Sequence, residues 1–293
     1  MKRINELFKP TKITLAGKSK IIHTENGKFV VKQKKKDIKS LYNYLSVRGF
    51  NNYPELIDEY DDNYVYQHLD GVNLPINQKA ADMAGLLSLL HNKTAFFKPI
   101  TADYIKGIYE NVLNNILYLE NYYHDLFEKI SAEVMMSPAQ YLLIRNSTKI
   151  NANLSFTKRE LEAWLTSATS HTKERVVHCH NNLSIDHYIK NADDYFISWD
   201  NYTIDSPVLD LINLYKNDYN KYDFSNFLEI YNYKFPLSDE EKKLLFIIIS
   251  LPHEVRLDAG EFKNTKVVNE LLIKIYKTEK LIRSYYAPQN PKE

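Results

Sequence analysis

The stretch that decides the fold is residues 178–211, HCHNNLSIDHYIKNADDYFISWDNYTIDSPVLDL. It opens with a polar loop that begins at His178. Two short β-type segments follow, HYIK and YFISW, and the residues NADD between them are typical of a turn. Asp200 ends the second segment, and the sequence PVLDL after it indicates the start of a helix. The stretch therefore predicts a loop, a hairpin, a carboxylate at a strand end and a helix, in that order.

This order resembles the catalytic core of aminoglycoside phosphotransferases, choline kinases and spore-coat kinase-like proteins, which share a protein-kinase-like fold. Their pattern is HGDxxxxN, a hairpin, I-D-W/F-E/D and then a D-L pair. His180 fits the motif His and is expected to hydrogen-bond the loop. Asp200, in the residues ISWD, fits the metal-binding Asp, and Asp210 fits the structural Asp of the D-L pair.

Three positions of the HGDxxxxN pattern are changed, and two of them, at Asn182 and His187, carry the chemistry. Asn181 replaces the Gly, Asn182 stands at the catalytic Asp, and His187 stands at the metal-binding Asn. A neutral amide cannot act as a base, and imidazole is a poor ligand for the hard ion Mg²⁺. The resemblance thus implies a kinase frame with Asn182 and His180 in the catalytic loop, and with Asp200 and His187 as the candidate metal ligands.

The N-terminal part has β-type patterning. Residues 10–35 alternate, and Asn26-Gly27 is a hairpin signal. Residues 37–48 have a helical apolar face, and 55–70 indicate two more strands. We therefore predict an α+β, bilobal protein-kinase-like fold, with a small β-rich N-terminal lobe at 1–70 and a larger, mainly helical C-terminal lobe at 71–293.

From about residue 77 the pattern becomes helical. The segment NQKAADMAGLLSLLHNK resembles the A-x-x-L-x-x-L-H helix of the same families. Capping boxes at Ser137, Thr157 and Ser238 predict three helix starts. The tail from Pro288 is expected to fray.

A nucleotide site follows from the resemblance. Lys32, in FVVK, matches the strand Lys that binds the α- and β-phosphates of ATP. Its usual helix Glu is missing, since residues 38–54 contain none. The run Lys34 to Lys36 is expected to be a solvated loop. ATP would lie against the hinge residues Tyr66, His68 and Leu69, and Mg²⁺ at Asp200 and His187.

A rival hypothesis is a transition-metal site. His178, Cys179, His180 and His187 are residue types that bind Zn²⁺. No C-x-x-C or H-E-x-x-H spacing accompanies them, and Asp200 and the hairpin have no role in such a site.

The bulk properties exclude several partner classes. A net charge of +1 provides no overall field that favours nucleic acid or a membrane. The longest apolar run, 244–251, is far shorter than the roughly 20 residues that span a bilayer. The single cysteine fits a reducing cytosol, and no signal peptide is apparent, so a cytoplasmic location is expected.

Two functions remain. One is a kinase-fold protein that binds a nucleotide, or a protein partner, with weak or no phosphoryl transfer. The other is an active ATP-dependent phosphotransferase that acts on a small hydroxyl-bearing metabolite. The changes at Asn182 and His187 favour the first, because phosphoryl transfer depends on positioning and electrostatics. The acceptor cannot be inferred from the residues, because fold does not fix chemistry.

Overall fold

A computed structural model describes residues 8–17, 19–25 and 27–286. The chain divides into two compact units, one of residues 1–96, 177–218 and 226–236, the other of 97–176, 219–225 and 237–293. This division by compactness does not test the predicted lobe boundary near residue 70, which stays a prediction. Asn26 and the tail from Pro288 lie outside the described residues.

An antiparallel sheet dominates the first unit. Among the described residues it has five strands in the order β1-β2-β3-β5-β4. They are β1 Lys12–Ala16, β2 Ser19–Thr24, β3 Gly27–Gln33, β4 Leu56–Tyr60 and β5 Asn63–Gln67. Thr24 pairs with Gly27, so β2 and β3 form the predicted hairpin. Its inner face packs Ile22, Val31 and Val65 around Tyr60, which fixes the register of each strand.

The helix after β3, α1, covers Ile38–Val47. Asp37 caps it by accepting a hydrogen bond from the backbone N–H of Ser40. Ile38, Leu41 and Leu45 are buried on one face, as the helical spacing predicts.

The remaining chain is mainly helical, and helices make up 56% of the structure. The helices are α2 Ile76–Thr94, α3 Ala102–Ser131, α4 Pro138–Arg145, α5 Ser147–Ala168, α6 Val208–Asp218, α7 Phe224–Lys234, α8 Asp239–Ser250 and α9 Glu261–Tyr286. The other strands are β6 Phe96–Pro99, β7 Lys173–Cys179, β8 Tyr188–Lys190, β9 Asp194–Phe196 and β10 Thr203–Asp205. The predicted α+β class is confirmed. Within the described ranges, no helix is both long enough and apolar enough to cross a membrane.

Two of the three predicted capping boxes are confirmed, and one is wrong. Ser137 and Ser238 each form a complete box at the start of a helix. Thr157 lies inside α5 instead, where its buried hydroxyl donates to the carbonyl of Leu154 at 2.8 Å. The buried face of α5 continues through this position to Trp164, so packing outweighs the local helix-start signal.

The hairpin predicted at 188–199 is present but shorter. β8 and β9 pair from Tyr188 with Phe196 to Lys190 with Asp194. The second strand ends at Phe196, and Asp200 lies in a short 3-10 turn, Trp199–Asn201, instead of at the strand end. The predicted helix after Pro207 begins at Val208 and carries Asp210 in its first turn.

Candidate nucleotide site

A cavity of about 440 Å³ lies in the first unit, between the five-stranded sheet and residues 186–200. This volume is within the usual range for a small-molecule site. Apolar side chains form its opposite walls: Ala16, Ile21 and Val30 from the sheet, Ile189 and Ile197 from the hairpin segment. Of the residues predicted to contact a nucleotide or metal, Lys32, Tyr66, His68, Leu69, His187 and Asp200 all line it.

Lys32 marks the charged end of this cavity. Its Nζ lies 2.9 Å from the Ser198 hydroxyl and 3.3 Å from Asp200 Oδ2. Both charged side chains are about one-fifth exposed, 18% for Lys32 and 19% for Asp200. The pairing joins residues 168 positions apart in sequence and places a carboxylate of the ISWD segment beside Lys32.

The helix beside Lys32 supplies no acidic partner, as the sequence predicts. Asp37 is occupied with capping α1. Tyr42 reaches the cavity from α1 instead, and burial raises the pKa of its hydroxyl well above the usual value. Asp200 is therefore the residue that orients Lys32 in this structure.

The neighbouring lysines are engaged elsewhere. Lys34 pairs with Glu59 at 2.6 Å and donates to the carbonyl of Asp61 at 2.6 Å. Lys36 donates to the carbonyls of Tyr202 and Asn201. Neither lines the cavity, whereas Lys32 does.

The hinge segment contributes Tyr66, Gln67, His68 and Leu69 to the lining of the cavity. The backbone N–H groups of Gln67 and His68 donate to Glu55 and Lys28 at 2.9 and 3.2 Å, so both are used within the sheet. Nδ1 of His68 is buried with no hydrogen-bond partner among the described residues, and burial lowers the pKa of this ring. The neutral His68 ring is a candidate polar contact for a base.

Asp210 holds the loop at 180–182 from the buried side. This carboxylate is fully buried and accepts from the backbone N–H groups of His180 and Asn181 at 2.8 and 2.7 Å. It also bonds Nε2 of His91 at 3.1 Å, while Nδ1 of His91 bonds the Tyr231 hydroxyl at 2.6 Å. The predicted structural Asp thus joins the loop to helix α2.

His180 also helps to hold this loop in place, and it does not line the cavity. Its Nε2 lies 2.8 Å from the carbonyl of Ile197, which ties the loop to the residue before Ser198. Burial lowers its pKa to about 4, so the ring is neutral at pH 7. A neutral, buried ring that bonds a backbone carbonyl positions the loop, as the resemblance implies.

Asn181 occupies a backbone conformation that explains its identity. Its φ is 54°, in the left-handed region where Gly is favoured and Asn is the best substitute. Its side chain adds two bonds, to Asn213 at 2.8 Å and to the carbonyl of Asn201 at 3.1 Å. The replacement of the motif Gly therefore keeps the shape of the loop.

The two changed chemical positions lie next to each other. The amide of Asn182 points to the carbonyl of Ser198 at 3.4 Å, and Asn182 does not line the cavity. His187 does line it, and its Nδ1 lies 2.5 Å from the backbone carbonyl of Asn182. Their roles in binding and catalysis stay predictions.

Ser198 is a site residue that the sequence analysis missed. It stands at the first acidic position of the I-D-W/F-E/D pattern, and its φ of 71° places it in the left-handed region. Such a conformation in a residue with a side chain is uncommon outside functional loops. The serine of ISWD, which stands where the pattern has an acidic residue, was the sequence signal that could have identified this residue.

Mg²⁺, which the resemblance implies, fits this donor set poorly. Mg²⁺ is held by oxygen ligands, typically one or two carboxylates with phosphate oxygens and water. Here Asp200 already pairs with Lys32, a hydroxyl takes the first acidic position at Ser198, and an imidazole takes the position of the amide at His187. We therefore derive no chemical step that depends on Mg²⁺.

The rival transition-metal site does not form. Within the described parts of the chain, the group that brings three ligand atoms together is His91, Cys179 and Asp210, all buried. His91 and Asp210 are already bonded to each other, and Asp210 also accepts from the backbone of the loop. His178, a member of the rival set, instead stacks on Tyr44 with ring centroids 4.1 Å apart.

His178 predicts an acid sensitivity. Burial, with a contribution from Arg48, lowers its pKa to about 4. As the pH falls, His178 takes up its proton in the unfolded chain before it does so in the folded protein. The unfolding free energy is therefore unaffected by this group above about pH 6.5 and falls as the pH approaches 4. His178→Phe keeps a ring on Tyr44 and should remove about 2 kcal/mol of the loss in unfolding free energy between pH 7 and pH 5. Urea unfolding at both pH values measures this, with exposed His124→Gln as the control. Equal losses in wild type and His178→Phe would contradict it.

Comparisons with known proteins yield structural matches only. No protein-family model matches the chain, and no curated protein matches it. An aminoglycoside phosphotransferase from Alicyclobacillus acidocaldarius subsp. acidocaldarius DSM 446 superposes with a TM-score of 0.68 at 11% identity, over 94% of this chain and 91% of that one.

A spectinomycin phosphotransferase is also similar in structure. Its complex with ADP and spectinomycin superposes with a TM-score of 0.55 at 12% identity, over 96% of this chain and 97% of that one. Its AMP-bound complex gives 0.54 at 11% identity, over 99% and 94%. At such low identities, the structural likeness shows the fold alone. The resemblance drawn from residues 178–211 is confirmed for the fold: the chain has the protein-kinase-like fold of the aminoglycoside phosphotransferases.

Proposed function

We propose that this protein binds a nucleotide such as ATP in the cavity at Lys32 and Asp200, and that it transfers the phosphoryl group weakly or not at all. The observation that carries the proposal is the position of Lys32. Lys32 lines a cavity that apolar side chains also line, and its ammonium group lies 3.3 Å from Asp200 Oδ2. The spectinomycin phosphotransferase of the same fold was solved with ADP and with AMP, which supports a nucleotide here.

The cavity offers each part of a nucleotide a suitable partner. The base fits between Val30 on one wall and Ile189 and Ile197 on the other, where its faces lose contact with water. Phosphate oxygens would replace Asp200 as the partner of Lys32, and an ammonium-to-phosphate bond is charge-assisted. His68 and the backbone of Leu69 face the base end.

Turnover is weak because the loop lacks its carboxylate. Asn182 cannot take a proton from an acceptor hydroxyl, and its amide is directed to a backbone carbonyl. One well-placed general base contributes about 10²–10⁴ in rate. The protein would therefore retain binding and lose most of the chemical step.

One observation favours the second function, an active phosphotransferase acting on a small hydroxyl compound. Asp186 is exposed and lines the same cavity, so a carboxylate is within reach of a ligand there. If Asp186 serves as the base, Asp186→Asn should lower ATP turnover about 10²-fold or more. Unchanged turnover in this variant would exclude that role.

Nucleotide binding is tested by removing the cation. Lys32→Met should weaken ATP binding about tenfold to a hundredfold, because a hydrogen bond to a charged group contributes about 1.5–3 kcal/mol. Titration calorimetry in EDTA measures the affinity without any metal. Lys35→Met is the matched control, since Lys35 is an exposed lysine of the same run and does not line the cavity.

The control should bind ATP as the wild type does. Equal affinity in Lys32→Met and wild type would remove Lys32 from the site, and absence of any binding by the wild type would overturn the proposal.

A further inference from the structure

The orientation of the His187 ring determines what it can bind. Nδ1 lies 2.5 Å from the backbone carbonyl of Asn182. A carbonyl only accepts, so Nδ1 donates in this contact, and Nε2 is the ring nitrogen that is available as a ligand. An imidazole whose one nitrogen donates to a backbone carbonyl, with the other available, is the usual arrangement of a metal-binding histidine. His187 is thus set to act as a ligand on the wall of the cavity.

The groups around His187 favour a particular class of ion. Asp200 lines the same cavity and offers one carboxylate, which Lys32 already partly neutralises at 3.3 Å. Ser198 offers a hydroxyl at the first acidic position of the motif. The protein ligands at the two motif positions are therefore one imidazole nitrogen and one carboxylate oxygen, and the carboxylate of Asp186 also lines the cavity. Imidazole suits borderline ions such as Co²⁺, Ni²⁺ and Zn²⁺, whereas Mg²⁺ requires oxygen ligands.

We propose that the divalent ion bound together with the nucleotide is a borderline transition-metal ion, held by Nε2 of His187, by Asp200 and by phosphate oxygens, and that Mg²⁺ is a poor substitute. The inference rests on the proposed function, since the phosphate oxygens complete the set of ligands. It is specific to this chain, because it follows from an imidazole at a position where the related motif has an amide.

The experiment measures ATP affinity in EDTA, in MgCl₂ and in CoCl₂. We expect Co²⁺ to tighten binding about tenfold to a hundredfold relative to EDTA, the range over which individual contributions to a metal site act. Mg²⁺ should tighten it less than about threefold. The coordination of Co²⁺ can also be observed directly, because its visible absorption should change when ATP is added to the protein with the metal.

His187→Asn separates the metal from the nucleotide. It restores an amide oxygen, so the ratio of the ATP affinity in CoCl₂ to that in EDTA should fall to about one in this variant, and the absorption change should be lost. The Mg²⁺ effect should increase in the same variant. His124→Asn changes an exposed histidine on α3 and should leave both effects unaltered, which controls for Co²⁺ on surface imidazoles.

The outcomes distinguish the two proposals. No ATP binding in any buffer overturns the proposed function itself. Binding that Mg²⁺ tightens as much as Co²⁺, or a Co²⁺ effect that survives His187→Asn, overturns the metal inference and leaves nucleotide binding intact. Loss of the Co²⁺ effect in Asp200→Asn as well would support both ligands.

Discussion

Changing Asn182 to Asp, His187 to Asn and Ser198 to Asp together is expected to raise ATP turnover by about 10²–10⁴-fold. The triple variant returns a base to the loop and oxygen ligands to the metal position, while Lys32 and Asp200 stay in place. Asp tolerates the left-handed backbone at Ser198. Single changes need not show the gain, because groups that act as a unit are not additive.

The matched control keeps the last two changes and carries Asn182→Ala. It should bind ATP and Mg²⁺ like the triple variant and show none of the added turnover. If the triple variant binds ATP but turns it over no faster than the wild type, then the loop has lost its geometry as well as its charge. Rapid turnover by the unmodified protein that persists in Asn182→Ala would show that this loop has another role.

Replacing Asp210 with Asn should lower the free energy of unfolding by about 3–5 kcal/mol. The carboxylate accepts three hydrogen bonds in a fully buried place, from His180, Asn181 and His91. An amide of the same shape has one acceptor oxygen, so its NH₂ group would face a donor. Because small domains are stable by about 5–15 kcal/mol, the loss is a large fraction of the total.

Urea unfolding at pH 7 measures this change. Asp193→Asn is the control, since Asp193 is exposed in the turn of the β8–β9 hairpin. The control should change the unfolding free energy by less than about 0.5 kcal/mol. A loss below about 1 kcal/mol in Asp210→Asn would mean that the network contributes little to holding the loop.

The parts of the fold that the sequence predicts well are those fixed by local patterns. The N-terminal strands and helix α1 follow from alternation and helical spacing, and the hairpin at 188–196 follows from its turn residues. The start inferred at Thr157 is wrong, because the signal of a capping box is short and the packing of a 22-residue helix outweighs it.

The site was predictable where a motif fixes residue types and less so where the backbone decides. Lys32 and Asp200 were expected at one site, and they lie 3.3 Å apart. The displacement of Asp200 from the strand end to a 3-10 turn was not, because it depends on the left-handed turn at Ser198. Neither the stacking of His178 on Tyr44 nor the orientation of His187 has a sequence signal, since both depend on long-range packing or on the shape of the loop.

The way Asp210 holds the loop bears on how this chain can vary over evolutionary time. The bonds from Asp210 run to the backbone of His180 and Asn181 and come from the interior, so they do not depend on the side chain at position 182. Substitutions at position 182 therefore cost little folding free energy, and selection on stability alone would not oppose them. A fold built in this way can drift away from catalysis, or be returned to it by a few substitutions, while its architecture persists.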